Sequence, residues 1–149
     1  MNRRAAIAMT PDEVVAFLAE QRTVTCATLG RDGWPHLMPL WYVVRAHDLW
    51  AWTYAKSQKV RNLERDPRCT LQVEAGATYD QLRGVMVKAE AVIHREFDVV
   101  AALGEEIAVR CGGAALDAGA RGYVHRQAAK RVALQFRPHE SATWDHRKL

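Results

Sequence analysis

The feature that most constrains this chain is a run of three β-rich segments joined by turns too short to allow any other arrangement. "TVTCATLG" and "PHLMPLWYVV" are separated by "RDGW", and "LWAWTY" follows after "RAHD". Asp-Gly is a strong hairpin signal because the glycine accepts positive φ, and connections this short force neighbouring strands to run antiparallel. The segment from Thr23 to Tyr54 therefore reads as a three-stranded meander. Pro39 has no N–H to donate, which predicts that it sits at a bulge or on a free edge.

Further strands are expected at "CTLQVEAG", "LRGVMVKAEAVIH" and "RVALQFRP". In the second of these, Val85, Val87, Ala89 and Ala91 alternate with Met86, Lys88, Glu90 and Val92, so one face is wet. Helical spacing appears in three places. Thr10, Pro11 and Glu13 provide an N-cap, a first-turn proline and the reciprocal acid of a capping box for a helix ending near Gln21. "SQKVRNLERDP" predicts a short helix from Ser57 to Arg65, capped by Ser57, with Val60 and Leu63 inward. From Glu96 to Arg110, Val100, Leu103, Ile107 and Cys111 share a side. "CGGAALDAGARG" reads as a loop, and "YVHRQAAK" as a short helix. Six strands with flanking helices predict a mainly β fold, a closed or nearly closed six-stranded antiparallel barrel. A barrel this small fills its own interior, so a ligand belongs on its outside or between subunits.

With 149 residues, 49% of them hydrophobic, the chain is expected to form one domain spanning residues 1–149. The 21 basic and 17 acidic residues are interspersed without a basic arm, which argues against nucleic acid and suits small anionic ligands. No apolar run approaches the length needed to span a bilayer, and Cys26, Cys69 and Cys111 form no CxxC, which suits reduced thiols. The expected setting is cytoplasmic, with no membrane partner. The six histidines never share a helical face at i, i+3 or i, i+4, so no metal site is expected. There is no nucleophile elbow and no dinucleotide fingerprint. The positive signal is cationic: Lys56, Lys59 and Arg61 cluster around a Ser-started turn, where free helical N–H groups already favour an anion. The competing reading is a solvated helix face in which Arg61 and Arg65 meet Glu64 and Asp66.

The succession "ATLGRDGWPHLMPLWYVV", "LWAWTYAKSQKVRNLERDPRCTLQVE", "LRGVMVKAEAVI" and "TWDHRKL" resembles the pyridoxamine-phosphate-oxidase-like split-barrel superfamily of flavin and deazaflavin oxidoreductases. The resemblance runs from about Thr23 to Leu149 and is greatest to the branch that uses coenzyme F-420. Its most specific portions are K-x-x-N-L-x-x-D-P at Lys59 to Pro67 and the terminal W-D-H-R-K-L. It implies a split barrel that forms a homodimer with a cofactor groove between subunits. It further implies that Thr53, Tyr54, Lys56, Ser57, Lys59 and Asn62 hold the cofactor's phosphate, and that Met38, Pro39, Leu40 and Trp41 lie along its ring. Trp144 is expected to come from the partner subunit and close over that ring, the alternative being a residue that anchors its own C-terminus. Relatives that use FMN usually carry S-R-K where this chain has Ser57-Gln58-Lys59. The missing guanidinium argues for the deazaflavin, whose phosphodiester and carboxylate tail suit more dispersed cations. The resulting expectation is an F-420-dependent oxidoreductase acting on a small molecule, with FMN-dependent chemistry or non-catalytic flavin or tetrapyrrole binding as alternatives. Tyr79 is the one residue singled out as a proton donor, against a packing role. Trp50 and Trp52 are expected to pack in a core or interface.

Overall fold

The computed structural model describes residues 2–113 and 115–149. Six strands form a closed antiparallel barrel in the order β1-β2-β3-β6-β5-β4, with β4 returning to β1. They are β1 (Thr23–Leu29), β2 (Pro35–Arg45), β3 (Asp48–Tyr54), β4 (Arg68–Ala75), β5 (Arg83–His94) and β6 (Arg131–Asp145). The helices are α1 (Arg3–Ala6), α2 (Pro11–Glu20), α3 (Gln58–Arg65), α4 (Phe97–Gly112) and α5 (Ala118–Ala128). No helix among the described residues is long and apolar enough to cross a membrane.

Alternation along the strands builds two cores. Val24 and Cys26 of β1, Leu49 and Ala51 of β3, Leu71 and Val73 of β4, and Val85, Ala89 and Ala91 of β5 turn into the barrel, while the opposite face of β4 and much of β5 stays wet. Phe17 of α2 and Val60 and Leu63 of α3 complete this interior. The second core lies outside the barrel wall, where Val100, Leu103 and Ile107 of α4 pack against Val43 and Ala133. Trp50 and Trp52 border it half-buried, in keeping with their expected packing role. The ring of Trp52 occupies the space that a Cβ on Gly104 would need, so this glycine permits close helix-to-strand approach.

The sheet is continuous but splits locally. β2 pairs with β1 from Pro35 to Trp41, then with β3 only from Tyr42 to Arg45. Residues 35–41 thus present a free edge, and Pro39 sits on it as its missing N–H requires. Gly33 adopts φ +84° in the β1–β2 turn.

Three boundaries differ from the sequence expectation. Strand β6 continues past Pro138 to Asp145, because a bulge between Lys88 and Ala89 sets Pro138 opposite Ala89 and Glu140 opposite Lys88, which absorbs the proline within the ladder. The expected 111–122 loop is shorter. Helix α4 runs to a left-handed cap at Gly113, and α5 begins at Ala118, where Asp117 accepts a bond from the Ala120 N–H at 2.8 Å. Tertiary packing of Val124 and Ala128 outweighs the low helix propensity of Gly119 and Gly122. Ala114 of that loop lies outside the described residues. Helix α1 was not expected at all.

Helix α2 forms as anticipated, with both bonds of the Thr10–Glu13 capping box. Its C-terminus is tied down from another element. The Arg110 guanidinium, lying 4.8 Å from the Tyr42 ring centroid, donates from Nη2 to the carbonyls of Leu18 (2.9 Å), Ala19 (3.2 Å) and Gln21 (2.6 Å), and from Nη1 to that of Tyr42. These are the orphan carbonyls of a helix end, and a cation is the favoured cap there. Burial pushes the Tyr42 phenol up to about 12, so it remains a donor to Leu18 O at 2.6 Å. Arg110→Met should therefore lower unfolding free energy by about 2–3 kcal/mol in urea titration, since it strands several carbonyls at once.

Candidate functional site

The cationic turn forms where β3 leaves the barrel. Ser57 N–H bonds to Tyr54 O at 3.0 Å, and Ala55 N–H to Lys130 O at 2.9 Å, which locks the turn against the start of β6. Helix α3 then plugs this end of the barrel. Asn62, fully buried, donates to Thr28 Oγ1 on β1 at 3.0 Å and accepts from Gln58 Nε2 at 2.9 Å. Its amide is thus engaged in fixing α3 on the rim, and Gln58 is folded back onto the helix.

Ser57 occupies the N-cap position with φ −69° and ψ 156°, yet its hydroxyl makes no capping bond, contrary to the expected cap. Its Oγ is buried without a partner. Such a group is costly to leave unmade, and a rotation about χ1 turns it either to the helix or to a ligand. The first-turn amides of α3 have no acceptor within the helix.

Lys59 is only 6% exposed, and its Nζ donates to Thr53 Oγ1 at 3.0 Å. Among the described residues no carboxylate comes within ion-pair distance of it, nor of Lys56, Arg61 or Arg131. Some cations elsewhere are paired, as in Arg45–Glu106, Arg83–Glu20 and Arg147–Asp145; what sets Lys59 apart is that it is unpaired and buried. Burial lowers the Lys59 pKa from the ordinary lysine value; Cys26 nearby opposes the shift and the Arg131 charge adds to it. A buried ammonium held by one hydroxyl is a fit for an anion rather than for a structural ion pair.

The β2–β3 register ends at Tyr42 opposite Ala51, and the preceding residues 35–41 pair with β1 alone, leaving the edge that would face residues 52–54 without ladder bonds. Leu37, Met38 and Trp41 are exposed along that edge. A cleft of about 990 Å³ lies between the β1–β2 hairpin and the outer side of α3, lined by Arg31, Asp32, Trp34, Gln58, Arg61 and Glu64 among others; residues 54–57 and Lys59 do not line it.

Two expected residues lie elsewhere in the chain. Trp144 pairs with Gly84, and its ring fills the space above that glycine. Along β6 it is 13 residues from Arg131, which pairs with Tyr54. Within its own chain the Trp144 ring lies against β5 at Gly84. Tyr79 is exposed in a short 3-10 turn, its ring centroid 4.6 Å from that of His146. Sequence reading overlooked Arg131. Its closeness to the turn depends on the β3–β6 register, and only the Lys130–Arg131 dipeptide ahead of a strand could have hinted at it.

A sequence profile described as pyridoxamine 5'-phosphate oxidase matches residues 10–145. The chain belongs to that family. A conserved hypothetical protein from Mycobacterium tuberculosis is 39% identical, with 97% of this chain and 90% of that one covered and a TM-score of 0.89. An F420 reductase shares the fold at 21% identity, with coverage of 85% and 94% and a TM-score of 0.68. An FAD-binding protein from Mesorhizobium loti shares it at 15% identity, with coverage of 91% and 93% and a TM-score of 0.68. No curated protein matches the chain.

The Lys59 shift has a sign that can be checked. Because the folded-state pKa lies below the unfolded one, the folded state binds fewer protons between the two values, and stability rises with pH across that window. Below the window the buried charge is a liability. In the anion-free protein Lys59→Met should raise stability at neutral pH by about 1–3 kcal/mol, and its advantage over wild type should shrink as pH climbs toward 10.5, as followed by denaturation at several pH values.

Proposed function

We propose that the chain is an oxidoreductase that binds a phosphate-bearing deazaflavin, coenzyme F-420, in preference to FMN, and works as a homodimer. The observation that carries this reading is the buried Lys59, without a carboxylate, beside the uncapped Ser57 hydroxyl and the amides of the α3 N-terminus. Thr53, Tyr54, Lys56, Ser57 and Lys59 form the phosphate end of the site, with Asn62 holding α3 in place for them. Met38, Pro39, Leu40 and Trp41 offer a lip along which a flat ring can lie. The reduced deazaflavin supplies a hydride to an unsaturated or oxidised small molecule; the protein binds, orients and shields.

Preference for F-420 rests on Gln58, which lacks a guanidinium fork and is turned back onto Asn62. The cleft beside α3 carries Arg31, Arg61 and Arg65 against Asp32 and Glu64, an excess of one cation for a carboxylate-bearing tail. The homodimer rests on two observations. An exposed apolar strand edge invites cover, and the Trp144 ring, which lies against Gly84 of its own chain, would be offered to the opening of a second copy. Tyr79 and His146 share the end of the barrel from which Trp144 would come, so a partner would bring Tyr79 near as a donor.

Titrating the apo protein with F-420 and with FMN tests the cofactor. Tighter binding of F-420 by tenfold or more, about 1.4 kcal/mol, is expected; preference for FMN would transfer the site to flavin chemistry, and binding of either without electron transfer to any acceptor would make it a carrier. Lys59→Ala should weaken cofactor binding by about 1.5–3 kcal/mol without unfolding the protein. For the dimer, Trp41→Glu should yield monomers in sedimentation velocity while wild type sediments as a pair.

A further inference from the structure

Four arginines among the described residues lie over aromatic rings. Arg45 covers Trp50 at 4.9 Å, Arg83 covers Phe17 at 5.1 Å, Arg110 covers Tyr42 at 4.8 Å, and Arg131 lies 4.0 Å from the Tyr54 centroid and 4.7 Å from that of Trp52. The first three also donate to oxygen. Arg45 makes a forked contact with Glu106, Arg83 pairs with Glu20 at 2.9 Å, and Arg110 grips backbone carbonyls. Arg131 has the stacking without the acceptor, and its Nε is buried with no partner.

A guanidinium stacked on rings keeps its N–H groups in its own plane, so stacking orients the donors without using them. Arg131 is well held. Tyr54 is its partner across the β3–β6 ladder, and Trp52 is fixed in turn against Gly104. Its backbone stands next to Lys130, whose carbonyl locks the Ala55 turn. An oriented, half-buried cation beside a second buried cation, with no acid for either, is an unfavourable arrangement unless an anion completes it.

We propose that Arg131 is an anion ligand of the Tyr54–Ser57 turn, acting with Lys59 and Ser57 on a phosphate-type group and supplying from β6 the guanidinium that position 58 lacks. This rests on the phosphate-end reading of the turn given above. The relocated fork is carried by a strand and braced by two rings, whereas an arginine at position 58 would stand on the exposed first turn of α3. Selection among ligands then depends on which phosphate oxygens face β6.

The test uses the full-length apo protein and inorganic phosphate as probe, with affinity read by calorimetry and by thermal shift across a salt series. Arg131→Gln should weaken phosphate binding about tenfold or more and flatten its salt dependence. Arg131→Lys, which keeps the charge and loses the fork, should fall between the two and guards against a folding defect in the glutamine variant. Arg45→Gln, a stacked arginine at a distance, should bind as wild type does. If Arg131→Gln and Arg131→Lys bind phosphate like wild type while Lys59→Met does not, Arg131 is only a packing residue and the anion site stands without it. If wild type itself takes up no phosphate, the inference and the reading beneath it fall together.

Discussion

Closure of the sheet between β1 and β4 is the constraint from which the rest follows. Once Thr25 to Thr28 pair with Gln72 to Cys69, the interior has no edge left and is filled by the inward residues of six strands and by Phe17, Val60 and Leu63. A packed interior has no room for a ligand, so polar chemistry is displaced to the rims and to the gap where β2 leaves β3. Lys59, buried without a carboxylate, stands at one such rim. The same closure makes α3 a plug: Val60 and Leu63 face the core, and the first-turn amides of the helix have no acceptor within it.

Burial distinguishes the charge at the turn. Exposed cations contribute little to stability whether or not they meet an acid. Lys59 is buried without a carboxylate, where an uncompensated charge is most costly. A protein selected for stability alone would replace Lys59 with an apolar residue of similar length. Its retention in a fully packed setting is the kind of local inconsistency that functional sites display.

Much of this was legible in the sequence, and the reasons for success and failure are specific. The hairpin at Asp32-Gly33, the Thr10–Glu13 capping box and the wet face of β5 were readable because each is fixed within a few residues. The length of β6 was not, since it depends on a bulge that lets β5 accept Pro138 at a distance of some fifty positions. The helix at YVHRQAAK was readable, but the first turns of α5 were obscured by two glycines whose low propensity is outweighed by packing on α4. At the site, the turn residues were readable from the cluster itself and from family resemblance, whereas Arg131 lies some seventy positions further on and joins them only through strand register.

The grip of Arg110 on α2 has a consequence for how this helix can change. Arg110 takes hold of the main chain at Leu18, Ala19 and Gln21, and main-chain carbonyls are the same whatever side chains they carry. The clamp itself does not read the sequence of α2, whose side-chain contacts with the rest of the fold are Val14, Phe17 and Leu18 at the core and Glu13 and Glu20 in ion pairs with Lys148 and Arg83. Its outward positions, Asp12, Val15 and Ala16, are free to diverge or to be redesigned as a handle without disturbing that clamp.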